Sequence, residues 1–167
     1  MSHEDRVVDT YSLCVVVTSD SVYRGEKRDL IKDVVHNVLE QEVCRGAQLL
    51  KYVILPNDLD KIRDTVAQFS NTCDVILITG GTGLSSKDVS IEAVKGIATK
   101  ELPGVGEFFR YVSYLEIGPR AILSRASAYV VGKSLVVVSP GSPNAVEIML
   151  KHIVCRIAPH AVYELRR

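Results

Sequence analysis

Asp74-Val-Ile-Leu-Ile-Thr-Gly-Gly-Thr-Gly-Leu-Ser-Ser-Lys-Asp88 is the stretch whose residue types and spacing best suit chemistry. Val75 to Ile78 is a short apolar run that reads as a buried strand. It stops at Gly80-Gly81-Thr82-Gly83, and a helical pattern resumes near Ser90. A turn of this kind leaves backbone N–H groups unpartnered beside a positive helix end, with no Cβ to hold a phosphate away. Ser90 is the expected N-cap, which leaves the Asp88 carboxylate outside the helix and free for other work.

Three further clusters of short polar side chains follow apolar runs: Thr18-Ser19-Asp20-Ser21, Pro56-Asn57-Asp58, and Ser139-Pro140-Gly141-Ser142-Pro143-Asn144. Each alone reads equally well as a cap or turn. Together, Asp20, Asp58 and Asp88 offer the hard oxygen ligands that Mg²⁺ takes alongside phosphate oxygens. Lys87, Arg110 and Arg125 could offset phosphate charge, and Gly141-Ser142-Pro143 opens a second helix. Two anion cradles with carboxylates between them point to joining or splitting of phosphate groups. No Gly-Lys-Ser/Thr ending makes a Walker A loop, and no Gly-x-Gly-x-x-Gly supports a nicotinamide cofactor. A Gly-x-Ser-x-Gly elbow is absent, as is a Cys–His pairing for nucleophilic catalysis.

The elements that must hold these residues alternate. Apolar runs at 12–17, 48–55 and 75–78 read as strands. Helical spacing recurs in Leu30 to Leu39, Leu59 to Phe69, Ser90 to about Lys100 and Phe108 to Leu115. Asn57 or Asp58 is the N-cap of the second helix. Ala126 to Val131 and Ser134 to Val138 form a hairpin about Gly132-Lys133. The last helix is capped by Ser142, starts at Pro143, and should end or kink at Pro159. The order predicts an α/β fold of three layers, α/β/α, with a mostly parallel central sheet and an added antiparallel hairpin. Ligands bind such sheets outside the carboxyl ends of the strands, where all four polar clusters fall.

The bulk properties restrict the function classes. The 167 residues are 47% hydrophobic and 24% charged, enough for one domain. Residues 1–10 read as a flexible tail and 11–167 as a single domain. Twenty Lys plus Arg balance twenty Asp plus Glu, so no global field favours nucleic acid or an acidic membrane. No apolar run is long enough for a membrane span, and Met1 to Arg6 has no signal-peptide pattern; a cytoplasmic protein is the expectation. Cys14, Cys44, Cys73 and Cys155 are widely spaced and read as buried, reduced thiols. The four scattered His have no metal-ligand spacing.

Taken in order, Thr18-Ser-Asp-Ser21, Thr79-Gly-Gly-Thr-Gly83 with Lys87-Asp88, Pro103-Gly104 with Glu107, Leu123-Ser-Arg125, and Pro140-Gly-Ser-Pro143 resemble the MoaB/MogA family of the molybdenum-cofactor biosynthesis fold. The likeness runs from about Leu13 to the last helix. It implies a molybdopterin adenylyltransferase that takes Mg²⁺–ATP and molybdopterin, gives adenylyl-molybdopterin and releases pyrophosphate. It further implies a homotrimer or homohexamer and a downstream protein that inserts molybdenum or tungsten. By the same resemblance, Ser19, Asp20, Gly80, Gly81, Thr82, Gly83 and Lys87 would bind nucleotide phosphate. Asp88 would be the essential catalytic aspartate, with Asp58 beside it, the two holding Mg²⁺. Ser124, Arg125, Pro140, Gly141, Ser142 and Pro143 would bind molybdopterin.

Two positions depart from the family pattern. Asn57 stands where Pro-Asp is usual, displacing that aspartate to Asp58. Lys87 replaces an arginine, which keeps the charge and loses the bidentate fork. The first departure motivates an alternative, a non-catalytic molybdopterin-binding or carrier trimer. A nucleotide-diphosphate hydrolase is a further alternative.

Overall fold

The apolar runs form a six-stranded sheet in the computed structural model, which describes residues 6–167. In chain order the elements are β1 (Tyr11–Thr18), α1 (Asp20–Tyr23), α2 (Ile31–Leu39), β2 (Ala47–Leu55), α3 (Leu59–Phe69), β3 (Val75–Thr79), α4 (Ser90–Lys95), β4 (Lys100–Leu102), α5 (Pro103–Ile117), β5 (Ser127–Val131), β6 (Ser134–Ser139), α6 (Pro143–Ile148) and α7 (Cys155–Arg166). Strand order is β2-β1-β3-β6-β5-β4; the first four are mutually parallel, β5 adds antiparallel to β6, and β4 adds antiparallel to β5. Strands buried on both faces need apolar residues at every position, hence unbroken runs such as Val75 to Ile78. Val15, Leu77 and Val137 face the layer of α2, α5, α6 and α7. Val16, Ile76, Ile78, Val136 and Val138 face α3 and α4.

This division locates the ligand-binding end. From β1 the chain passes over one face through α2 to reach β2, then over the other face through α3 to reach β3. The direction of winding therefore reverses between β1 and β3, and a crevice opens outside their carboxyl ends. Asp74, at the opposite end of β3, has a structural role. It accepts from the Ser12 N–H at 2.8 Å and pairs with Arg166 at 2.9 Å, closing the far end of the sheet.

Several local expectations are revised. Ser90 is the first residue of α4 and fully buried, its hydroxyl 3.3 Å from that of Thr18 and not capping the helix. That helix ends at Lys95, well short of Lys100. Lys100–Leu102 instead forms an edge strand, where charged side chains suit a solvent-facing position. The region around Gly104 and Gly106 is helical, because Pro103 is tolerated in a first turn. Gly106 is required there: a Cβ would lie 2.1 Å from the Ala126 carbonyl oxygen. Pro159 does not end the last helix. A π-helical turn, Met149–Val154, joins α6 to α7, and α7 runs through Pro159 with Ala158 and Val162 buried on the core. One lost hydrogen bond is outweighed there by apolar burial.

The cysteines are not free thiols. Cys14 is bonded to Cys73 and Cys44 to Cys155, over separations of 59 and 111 residues. Parallel-sheet topology brings these distant positions together, which spacing along the chain does not reveal. Of the expected tail, residues 1–5 lie outside the described residues. Beyond them, the Val8 N–H donates to the Pro159 carbonyl at 3.0 Å, and the Arg6 carbonyl lies 2.8 Å from the His160 ring.

Candidate functional site

The glycine loop is built at the reversal point. Gly80 and Gly81 have φ of 97° and 73°, a region that favours glycine. Space is equally restrictive: a Cβ on Gly80 would lie 2.4 Å from the Thr18 carbonyl oxygen, and one on Gly81 2.2 Å from the Ser90 hydroxyl. Gly83 serves a different purpose. Its missing Cβ leaves room for the Asp88 carboxylate, which would otherwise lie 2.8 Å away, and that carboxylate closes the loop by accepting from the Ser85 N–H at 2.9 Å. Asp88 is therefore available through its other oxygen, and it owes that position to loop closure, not to a Ser90 cap.

The remaining motifs meet this loop. The Gly80 N–H donates to the Ser139 carbonyl at 2.8 Å, and Gly141 is close enough to Gly80 that a Cβ would lie 3.2 Å from its Cα. Ser142 caps α6 through the Ala145 N–H, with Pro143 as first helical residue, as expected. The Arg125 N–H donates to the Thr82 carbonyl at 3.1 Å. Its guanidinium donates to the carbonyls of Gly83 and Asp88 and pairs with Glu92, so Arg125 braces the glycine loop. Arg110 donates to the carbonyls of Ser124 and Ala126, which fixes Ser124. Ser124, Pro140 and Ser142 line a cavity of ≈ 180 Å³ with Phe109 and Ile148. Asp88, Ser85 and Arg125 line an open cleft of ≈ 400 Å³ on the other side.

At the ends of β1 and β2 the carboxylates take separate positions. Asp20 accepts from the Asn57 N–H at 2.9 Å. That bond, with the nearby Lys87 ammonium, holds the Asp20 carboxyl below the usual aspartate range despite partial desolvation. Lys87, on the glycine loop, thus lies near enough for its charge to act on Asp20 without forming an ion pair with it. Asp58 is the N-cap of α3, accepting from the Lys61 N–H at 2.9 Å, and it is exposed. Among the described residues, no group of three or more His, Cys, Asp or Glu forms a metal cage. Asp20, Asp58 and Asp88 each keep one carboxylate oxygen without a hydrogen-bond partner among the described residues. That donor set suits a hydrated Mg²⁺ arriving on nucleotide phosphates, which needs only one or two carboxylates.

A second wall of the site comes from residues that the sequence presents only as a charged loop. Lys27, Arg28 and Asp29 join Ser19, Ser21, Thr79, Gly141 and Pro143 around a cavity of ≈ 230 Å³ at the reversal point. Asp29 orders this wall by accepting from the Ile31 N–H at 2.8 Å and the Tyr52 hydroxyl at 2.6 Å. The available signal was position: the loop follows α1, the single helical turn at the carboxyl end of β1.

Comparison with known proteins agrees with this geometry. Residues 14–160 match the family described as "Probable molybdopterin binding domain". A Bacillus cereus "Molybdenum cofactor biosynthesis protein B" is 36% identical over 92% of this chain and 90% of its own. The Bacillus subtilis protein of that name is 33% identical over 99% and 96%. Among solved structures, the tungsten cofactor synthesizing protein MoaB from Pyrococcus furiosus superposes with a TM-score of 0.85 at 30% identity, covering 96% of this chain and 99% of the other. No helix among the described residues is long and apolar enough to cross a membrane. With the family match spanning residues 14–160 and relatives 33–36% identical over more than nine-tenths of the chain, this chain belongs to the MoaB/MogA family of molybdenum-cofactor biosynthesis proteins.

Proposed function

We propose that this protein adenylylates molybdopterin in molybdenum- or tungsten-cofactor biosynthesis, with ATP as co-substrate. A terminal phosphate oxygen of molybdopterin attacks the α-phosphorus of ATP. The α–β anhydride bond breaks, adenylyl-molybdopterin forms and pyrophosphate leaves. The observation that carries this reading is the contact between two phosphate-compatible loops, Gly80–Gly83 and Pro140–Pro143, at one reversal point beside Asp20 and Asp88.

Each residue has a role in that reaction. The Gly80, Gly81, Thr82 and Gly83 backbone cradles nucleotide phosphate, with Ser19 and Lys87 at its rim. Asp20 and Asp88 would hold the Mg²⁺ that the nucleotide brings, with the free oxygen of Asp58, whose other oxygen caps α3, as a further ligand candidate. When bound, Mg²⁺ neutralises charge on the triphosphate and polarises the α-phosphorus. Ser124 and Ser142, in the cavity on the α5 and α6 side, hold the pterin. Arg125 acts indirectly by keeping the glycine loop in shape. Most of the rate enhancement comes from holding two anionic reactants in line and offsetting their repulsion.

The test is pyrophosphate release from ATP, Mg²⁺ and molybdopterin, followed with wild type and Asp58→Ala in parallel. Release above a metal-free control is expected from both. None from wild type would sink the reading and favour the carrier alternative, for which Asn57 beside Asp20 is the supporting observation. Activity lost in Asp58→Ala alone would return Asp58 to the metal site.

Assembly is part of the same proposal. Phe108, Tyr111, Tyr114, Leu115, Ile117, Ile122 and Leu123 are all exposed on α5 and the turn after it. Half-exposed side chains of this size present roughly 700 Å² of apolar-rich surface. That exceeds the patches usual on monomers and approaches the ~800 Å² that one partner contributes to a stable interface. A homotrimer or homohexamer burying this face is the expected state, cytoplasmic and independent of nucleic acid or membrane.

A further inference from the structure

We infer that the cavity bounded by Thr79, Ser19, Ser21, Lys27, Arg28 and Gly141 is a phosphate-monoester site, in which the loop after β1 supplies the cations and Thr79 a buried hydroxyl. The identity of the ligand rests on the proposed function; the chemistry of the site does not. Thr79 is the central observation. It is fully buried, and its hydroxyl oxygen has no hydrogen-bond partner among the described residues, whereas the Thr18 hydroxyl one strand away donates to the Thr79 carbonyl and lies against Ser90. Strand alternation points the Thr79 side chain to the same face as Val75 and Leu77, the face on which the ≈ 230 Å³ cavity opens. A buried hydroxyl without a partner is unfavourable in a free protein unless a ligand completes it.

The rest of the wall fits an anion. Lys27 and Arg28 are exposed at the rim, and Asp33, the one partner of Arg28 among the described residues, makes a solvent-exposed pair that a ligand can readily replace. The Asp29 carboxylate also lines the cavity, but both its oxygens already accept, from Tyr52 and from the Ile31 N–H. Gly141 brings its backbone close without a side chain. Because Ser19 borders the nucleotide loop and Gly141 the pterin loop, the phosphate bound here can belong to either substrate.

Calorimetric titration of Mg²⁺-supplemented protein with two matched pairs tests this. The pairs are AMP with adenosine, and 6-hydroxymethylpterin phosphate with 6-hydroxymethylpterin. In wild type, the phosphorylated member of one pair should bind at least ~10-fold tighter than its partner, as a charge-assisted phosphate contact requires. Lys27→Ala with Arg28→Ala should abolish that advantage and leave the unphosphorylated compound unchanged. The pair affected identifies the source of the phosphate. Thr79→Val, close to isosteric, should weaken the same ligand about tenfold while leaving the melting temperature of the free protein unchanged or raised. Equal affinity within both pairs, or an advantage that survives the double variant, overturns the inference. So does a Thr79→Val variant that melts lower and binds as wild type, since the hydroxyl would then serve the fold. Phosphate discrimination without pyrophosphate release would defeat the proposed function and leave this site standing. Unaltered turnover and substrate KM in the double variant would do the reverse.

Discussion

The two halves of the sheet differ in what they leave unfinished. The parallel half, β2-β1-β3-β6, has three buried strands beside the edge strand β2, and its carboxyl ends carry glycines, hydroxyls and carboxylates with vacant hydrogen-bonding capacity. The antiparallel edge, β5-β4 with α5, is polar at its strand ends but leaves a run of aromatic and aliphatic side chains exposed. One half lacks small polar ligands; the other lacks an apolar partner. Parallel strands all end together, so their loops converge, while the hairpin sends successive loops to opposite ends and cannot concentrate polar groups in this way.

If the division is real, variants should separate binding from assembly. The largest effect is expected at Asp88: Asp88→Asn should lower turnover by at least ~10²-fold, the scale of losing an electrostatic contact to the reacting phosphates, with the oligomer intact by light scattering. An unchanged rate would remove Asp88 from the reaction. Gly83→Ala should move in the same direction, because the new methyl group displaces the Asp88 carboxylate; normal activity would show that its placement is not critical.

On the opposite half, Leu115→Glu with Tyr111→Glu should dissociate the assembly in sedimentation while sparing AMP affinity in the surviving protomer. An intact oligomer would move the interface elsewhere. The covalent links span both halves less directly: Cys44 joins the segment after α2 to α7. Replacing Cys44 and Cys155 by Ser should cost about 2–4 kcal/mol in denaturant unfolding, and a midpoint unaffected by this replacement or by reductant would show that the bond adds nothing to stability.

The smallest expected effect sharpens the metal assignment. The lowered Asp20 pKa means that its carboxylate stays charged, with its hydrogen bond to Asn57, until the pH falls through that lowered value. Stabilisation is therefore present above the unfolded aspartate value of about 3.9 and lost only below it. Mg²⁺ binding, titrated without nucleotide, should be flat from neutral pH to about 5. Asn57→Asp adds a like charge, so the decline should move to higher pH and Mg²⁺ affinity at neutral pH should rise. An unmoved profile would place the metal away from Asp20.

Much of this was legible in the chain. Apolar runs too short for helices and apolar at every position can only be strands covered on both faces, and caps such as Ser142 and Asp58 are read from neighbours within one turn. Local chemistry failed where a distant residue intervened. Ser90 looks like a cap until Thr18 claims its hydroxyl; Lys100 looks like the end of a helix until β5 offers an edge; the four cysteines look unrelated until the sheet brings them into pairs.

The sequence by itself determined the α/β alternation, the family motifs and the glycine loop, because periodicity and backbone permissiveness are properties of adjacent residues. Only the tertiary structure decided that Asp20 accepts from the Asn57 N–H, that Arg125 braces a loop, and that Thr79 faces a cavity with Lys27 and Arg28. Those outcomes depend on which partners reach a side chain first across the sheet, and contact between distant segments is not written in their spacing.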